Sequence, residues 1–260
     1  LKENVQMEAR RVIITAGASG IGRETARAFG LAGAAVFVCD IDEAGLSRLK
    51  EEIPGLQTAV CDVSDRHDVE RMVAAGAAAL GGVDVLVNNA GISGPTAPVE
   101  EMDPDGWERV LQVNLTGTFN VTRFAIPHLK NSKSGVILNM SSVAGRFGYA
   151  NRSPYCVSKW GLIGFTKTLS IELGPYGIRV NAILPGAVAG ERLEQVFARR
   201  AQAAGISVEK VREDSMSIQS LKTLVDPKDV AALCVFLASD SAKSISGQLI
   251  PIDNDTLKAS

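Results

Sequence analysis

Short apolar runs rich in β-branched residues alternate with stretches of helical periodicity along most of the 260-residue chain. Residues 11–15, 35–39, 57–61, 83–88, 135–140, 179–184 and 248–252 read as strands. Several, such as Val85-Leu86-Val87, are continuously apolar, as a strand covered on both faces requires. Between them, 22–32, 68–80, 105–129, 155–173 and 229–239 carry apolar residues at helical spacing. Asp226-Pro227 reads as the start of the last helix, with Pro at an early position. Such alternation predicts an α/β fold, a parallel sheet with helices on its faces. The length suits one domain spanning 1–260. Residues 187–224, after the sixth strand, break the rhythm. They are charge-rich (Glu191, Arg192, Arg199, Arg200, Lys210, Arg212, Glu213) and only partly helical in pattern. An insertion after the carboxyl end of a strand borders the ligand crevice of such sheets, so this segment is expected to be a substrate lid, not a second domain.

The strand ends supply candidate ligand contacts. Thr15-Ala16-Gly17-Ala18-Ser19-Gly20-Ile21-Gly22 joins the first strand to the first helix. Glycines there allow a tight turn and close backbone approach, and the helix N-terminus presents free N–H groups to a pyrophosphate. The second strand runs out at Asp40, whose carboxylate can bind both ribose hydroxyls of an adenosine and repels the 2′-phosphate of NADP. Ser19 and Ile41, where a compensating cation would stand, are uncharged. NAD is therefore the expected cofactor. Cys61-Asp62-Val63 and Asn88-Asn89-Ala90-Gly91 end the third and fourth strands. The small Ala90 and Gly91 would let backbone lie against a flat cofactor.

Composition narrows the partners. A formal net charge of -2 argues against nucleic acid and anionic membrane, and no apolar run reaches the length of a membrane span. No charged-then-apolar leader pattern opens the sequence. With 46% hydrophobic and 22% charged residues, the chain can bury a sizeable core. Cys39, Cys61, Cys156 and Cys234 lack metal-binding spacing, and the histidines are His67 and His128, so no metal site is expected. Reduced, buried cysteines make the cytoplasm the expected compartment.

The most chemically informative stretch is Tyr155-Cys156-Val157-Ser158-Lys159. Residues at i and i+4 share a helical face, so the ammonium of Lys159 can stand near the phenol of Tyr155. A free tyrosine keeps its proton until pH ~10, and a nearby cation brings that value towards neutrality. Ser142, after the strand-like run 135–140, offers a hydroxyl to polarise a substrate oxygen.

Taken together, the glycine turn, Asn88-Asn89-Ala90-Gly91, Asn114 in Val113-Asn114-Leu115, Ser142, Tyr155-x-x-x-Lys159 and Pro185-Gly186 resemble, in order and spacing, the short-chain dehydrogenase/reductases. The resemblance runs from about Arg11 to the last strand. It implies a Rossmann-like three-layer fold with a seven-stranded parallel sheet. Tyr155 would be the general acid/base, Ser142 would hold the substrate oxygen, and Lys159 would bind the nicotinamide ribose and lower the tyrosine's pKa. Asn114 would kink its helix and anchor a water in a proton relay. Gly17, Ser19, Gly20, Ile21 and Gly22 would carry the pyrophosphate side, Asp40 and Ile41 the adenosine ribose, and Asp62 and Val63 the adenine. Asn89, Ala90 and Gly91 would lie along the ribose region, with Pro185, Gly186 and Val188 at the nicotinamide. The helices at 105–129 and 155–173 pair across a subunit interface in this family, usually within a homotetramer. Two positions depart from the pattern: Ala16 where the family has Gly, and Gly190 where it commonly has Thr.

These readings converge on an NAD-dependent oxidoreductase interconverting a secondary alcohol and a ketone of a small polar substrate, such as a sugar, polyol or hydroxy acid. The alternatives are a 3-oxoacyl-thioester reductase of the same fold and a non-catalytic dinucleotide-binding regulator. Arg146 and Arg152 lie between Ser142 and Tyr155; either could pair with a substrate anion, or be a solvated surface arginine or a subunit contact. Phe147 and Tyr149 border the same segment, and Trp160 is expected to face the core or a neighbouring subunit.

Overall fold

A computed structural model describes residue 7, residues 10–132 and residues 134–257. Among these, β1 (Arg11–Thr15), β2 (Ala35–Asp40), β3 (Gln57–Val60), β4 (Val85–Asn88), β5 (Val136–Met140), β6 (Arg179–Pro185) and β7 (Leu249–Ile252) form one sheet in the order β3-β2-β1-β4-β5-β6-β7. Every neighbouring pair is parallel. Each strand matches its expected position to within two residues.

Strand periodicity divides the interior into two layers. Val12 and Ile14 of β1, Val36 and Val38 of β2, and Val85 and Val87 of β4 face one side. There they meet Phe29 of α1 (Gly20–Leu31), Leu46 and Leu49 of α2 (Glu43–Glu52), and Val230 and Cys234 of α9 (Pro227–Ala238). Ile13, Phe37, Leu86 and Ile137 face the other side. They pack on Met72 of α3 (Arg66–Leu80), Val121 of α5 (Thr118–Lys130) and Leu169 of α6 (Ser153–Leu173). Helices on both faces of a parallel sheet, with the order reversing between β1 and β4, make this a Rossmann-like α/β fold. The reversal opens a crevice above the carboxyl ends of β1 and β4.

The helix starts follow their caps. Asp65 accepts from the amides of His67 and Asp68, Asp103 from Gly106, and Asp226 from Lys228. The stretch 105–129, read as one helix, is instead α4 (Pro104–Leu111), a π turn (Gln112–Gly117) and α5. The segment after β6 contains α7 (Glu191–Ala204) and α8 (Val208–Ser217), which share a small apolar cluster of Phe197, Ala201 and Val211. It is tied back to the body by the bridges Val188↔Val225 and Gln219↔Thr256. All four cysteines are free and buried. Among the described residues no helix is long and apolar enough to cross a membrane.

Candidate active site

The turn between β1 and α1 is laced to β4 by side chains. Thr15 Oγ1 accepts from the amides of Asn89 and Ala90, each at 3.0 Å. Asn89 Nδ2 donates to the carbonyls of Thr15 (3.1 Å) and Ala16 (2.9 Å). Gly22 closes the turn so tightly that a Cβ there would lie 2.2 Å from the Ala16 carbonyl oxygen and 2.6 Å from Asn89 Nδ2. Asp40 fixes the outer limb, its Oδ2 accepting from the Ala18 amide at 2.9 Å and its Oδ1 from the Asp42 amide at 3.1 Å. Gly17 lies between these ties, against Val38.

The helix that follows is open to an anion. Ser19, the N-cap of α1, makes no side-chain capping bond, and the first turn holds no acidic residue. Its leading N–H groups, beside Gly20 and Ile21, therefore suit a pyrophosphate. Gly20 faces open space. With Asp40 and Ile41 at one end of the same cleft and Tyr155 and Lys159 at the other, the residues fit a nicotinamide dinucleotide. The cleft encloses about 1010 Å³.

Ala16 has φ 52°, in the left-handed region where a Cβ is strained. The lacing by Asn89 holds it there. Ala16→Gly is expected to stabilise the protein by about 1 kcal/mol, because relief of strain exceeds the added unfolded-state freedom. In thermal unfolding that is a rise of about 2–4 °C; an unchanged or lower midpoint would show the turn to be unstrained.

Along the cofactor side, Asp62 accepts from the Ser64 amide (2.9 Å), Ser64 Oγ (2.7 Å) and Arg109 Nη2 (3.0 Å). Burial raises its pKa, but these donors outweigh burial and hold the carboxyl below its ordinary value. Val63 is buried against Gly117 of the π turn. Ala90 and Gly91 line the cleft, and a Cβ on Gly91 would sit 3.3 Å from Lys159 Nζ. Opposite, Pro185 ends β6, Gly186 lies flat on Asp253, and Val188 lines the wall. Gly190, at φ 142°, holds a backbone conformation that favours glycine at the start of α7.

At the end of the cleft that holds Tyr155 and Lys159, Ser142 leaves β5 in an extended conformation and accepts from the Ala144 amide at 3.1 Å. Pro154 in the first turn of α6 starts the helix that carries Tyr155 and Lys159. Lys159 is buried, and its Nζ donates to the Met140 carbonyl at 2.8 Å, 5.7 Å from the Tyr155 ring centre. Burial brings the lysine's pKa down to about 8, with Tyr155 opposing and Arg192 adding to the fall. For Tyr155, burial works upward. The ammonium of Lys159, then Arg192, the Ser142 hydroxyl and Arg152 outweigh it, so the phenol titrates below its ordinary value. A tyrosine so placed gives up its proton more readily than a free phenol.

Asn114 sits fully buried within the π turn. Its Oδ1 accepts from the Ile92 amide (2.7 Å), and its Nδ2 donates to the Ile92 carbonyl and to Ser158 Oγ (both 3.0 Å). This pins the exit of β4 to α6, and a π turn inside a helix is the kink expected at this position.

The two arginines between Ser142 and Tyr155 part company. Arg146 lies outside the cleft lining, 3.7 Å from Asp253 and against the Phe147 ring. Arg152 lines the cleft, its guanidinium 4.9 Å from the Tyr155 ring centre. Trp160 is half-exposed and so is not a core residue.

Residues 15–254 match the family model described as enoyl-(acyl carrier protein) reductase, a short-chain dehydrogenase/reductase model. The chain is a short-chain dehydrogenase/reductase. Among its relatives, a 3-oxoacyl-[acyl-carrier-protein] reductase of Thermotoga maritima is 37% identical, over 96% of this chain and 98% of that protein. An L-fucose dehydrogenase of Bos taurus is 36% identical over 92% and 86%. A D-beta-hydroxybutyrate dehydrogenase of Cupriavidus necator is 33% identical over 95% and 97%. A crystallised variant of actinorhodin polyketide ketoreductase, solved with NADPH, superimposes with a TM-score of 0.90 at 33% identity, covering 96% of this chain and 98% of that one.

Thr15, the first residue of the glycine-turn motif, organises that turn. This short-chain dehydrogenase/reductase also places Ser93 and Arg192, which its motifs do not name, in the lining of the cleft. Arg192 and Arg199 are seven apart in α7 and so share a helical face. Both are exposed, and that spacing was the available signal for a basic stripe at the edge of the cleft.

Proposed function

We propose that the protein is an NAD-dependent oxidoreductase that interconverts a secondary alcohol and a ketone on a small polar molecule. The observation that carries this reading is the buried Lys159 beside Tyr155 and Ser142, at the far end of one cleft from an anion-ready helix terminus and Asp40. The bound nicotinamide would supply the hydride exchange. Ser142 holds the reacting oxygen, and Tyr155 takes its proton during oxidation or returns it during reduction. Lys159 keeps the phenol's pKa within range and would hold the nicotinamide ribose. Asn114 keeps the backbone around Ile92 and Ser158 in place. The segment 187–224, with α7 and α8, acts as the substrate lid.

The cofactor preference rests on Asp40, which lines the cleft with no basic neighbour at Ser19 or Ile41. A carboxylate there favours a free ribose and disfavours a 2′-phosphate. A second reading, reduction of a 3-oxoacyl thioester with NADPH, draws on the acyl-carrier-protein reductase relative and the NADPH-bound neighbour. Measuring kcat/KM with NAD and NADP over a panel of alcohols, and with NADH and NADPH over acyl thioesters, separates the two. The expected result is an NAD preference of about tenfold or more, the size of one charged contact. Asp40→Asn keeps a hydrogen-bond acceptor for Ala18 while removing the charge, and should narrow the gap. A wild-type preference for NADP would overturn the role of Asp40.

Phe119 of α5 and Val157 and Trp160 of α6 are 45–50% exposed, an apolar surface suited to pairing subunits through these helices. A homotetramer follows as the proposed assembly, and the cytoplasm, where buried free thiols stay reduced, as its compartment.

A further inference from the structure

Resting on the reading of Tyr155 as the proton-transfer group, we propose that Arg152 and Arg192 form a receptor for a carboxylate on the substrate, which makes the substrate class a hydroxy acid or its keto acid. Arg152 stands at the N-cap of α6, over the ring of Tyr155. One of its guanidinium nitrogens donates to the Ser93 carbonyl at 3.3 Å, while its Nε is buried with no partner. Arg192 enters from the first turn of α7, close enough to act on the charges of Tyr155, Lys159 and Arg152. Arg199, one helical face along, donates to Ser93 Oγ at 3.0 Å.

Positive charge accumulates here without an internal counter-ion. Among the described residues, none of Arg152, Arg192 or Arg199 makes an ion pair. The nearby acids are engaged elsewhere: Asp253 with Arg146, Glu194 with Arg212 and Asp214 with Lys210. Glu191 also lines the cleft; its Oε1 accepts from the neutral Gln195 at 3.3 Å, and it makes no salt bridge with Arg152, Arg192 or Arg199. Burial, together with Arg192 and Arg199, pushes the Arg152 pKa downward. A guanidinium taken from water without a partner is costly, and a bidentate carboxylate removes that cost. The site is also distinct from the place for a pyrophosphate, which is the N-terminus of α1.

The substrate's balance is simple. The carbinol C–H leaves as hydride to NAD, the O–H proton passes to Tyr155, and the C=O bond forms. The carboxylate is untouched and serves as a handle.

The test uses the full chain with NAD. Oxidation of 3-hydroxybutanoate and of 4-hydroxycyclohexanecarboxylate is compared with oxidation of their primary amides. In parallel, thermal unfolding with NAD is recorded with cyclohexanecarboxylate or cyclohexanecarboxamide. The expected result is a kcat/KM at least about tenfold higher for an acid than for its amide, as for a charge-assisted contact. That ratio should fall towards one in Arg152→Gln and be partly restored in Arg152→Lys. Cyclohexanecarboxylate should raise the midpoint of wild type but not of Arg152→Gln. Neutral alcohols turned over with no preference for acids, and no acid-specific stabilisation, would overturn the receptor and leave the alcohol–ketone reading standing. Arg152-dependent stabilisation by the acid with no alcohol oxidised would uphold the receptor and overturn that reading.

Discussion

Tyr155→Phe should lower kcat by a factor of about 10²–10⁴, the usual contribution of a positioned general acid/base, while affinity for NADH changes little. Only the hydroxyl is lost: the ring keeps its place beneath the Arg152 guanidinium and beside Ser142. The remaining site still orients the reactants but has nowhere to put the alcohol proton. Steady-state rates from nicotinamide absorbance, paired with NADH binding by fluorescence, separate the two contributions. A variant running at the wild-type rate would exclude Tyr155 as the proton carrier and leave a dinucleotide-binding protein whose chemistry, if any, lies elsewhere.

The second large effect belongs to Lys159→Met. Of the groups that lower the Tyr155 pKa, the ammonium of Lys159 acts most strongly, while burial pushes the other way. Removing the ammonium leaves burial less opposed, so the phenol's pKa must rise. Alcohol oxidation needs the deprotonated tyrosine, so kcat/KM climbs as pH rises through that value. In the variant this climb should move to higher pH, costing about tenfold at neutral pH for each unit of displacement. Loss of the ribose contact adds to this, and a fall of about 10² or more at pH 7 is expected. In wild type, the lysine discharges above about 8, so the two groups titrate as a coupled pair and the upper limb flattens. An unshifted pH limb in the variant would mean that Lys159 is a packing residue.

Much of this was legible in the sequence because the relevant signals are local. Strands buried on both faces write themselves as apolar runs, and Gly22, Asp40 and the Tyr155–Lys159 spacing sit at predictable strand ends and helix faces. What escaped is instructive. Helix α2 went unread because its two fully packed apolar side chains, Leu46 and Leu49, leave too weak a stripe among charged neighbours. The kink at Asn114 was implied by the family resemblance, but its form, a π turn between two separate helices, was not legible because the stretch keeps helical spacing. Arg146 and Arg152 looked equivalent. The deciding fact, that Asp253 lies near one and not the other, comes from a loop more than a hundred positions away. Ala16 was visible as a departure, but its left-handed backbone was not, since nothing in a side-chain pattern records φ.

The double use of Ser93 has a consequence for how this protein can change. Its carbonyl and hydroxyl receive Arg152 and Arg199, so the rim is stitched from three excursions that meet only above the sheet. The dinucleotide cradle, by contrast, is anchored to strand ends and buried amides. Single substitutions on the rim can therefore alter selectivity and leave the cradle intact, but at Arg152 or Arg192 they also act on Tyr155, so a change of substrate there carries the pH dependence of turnover with it.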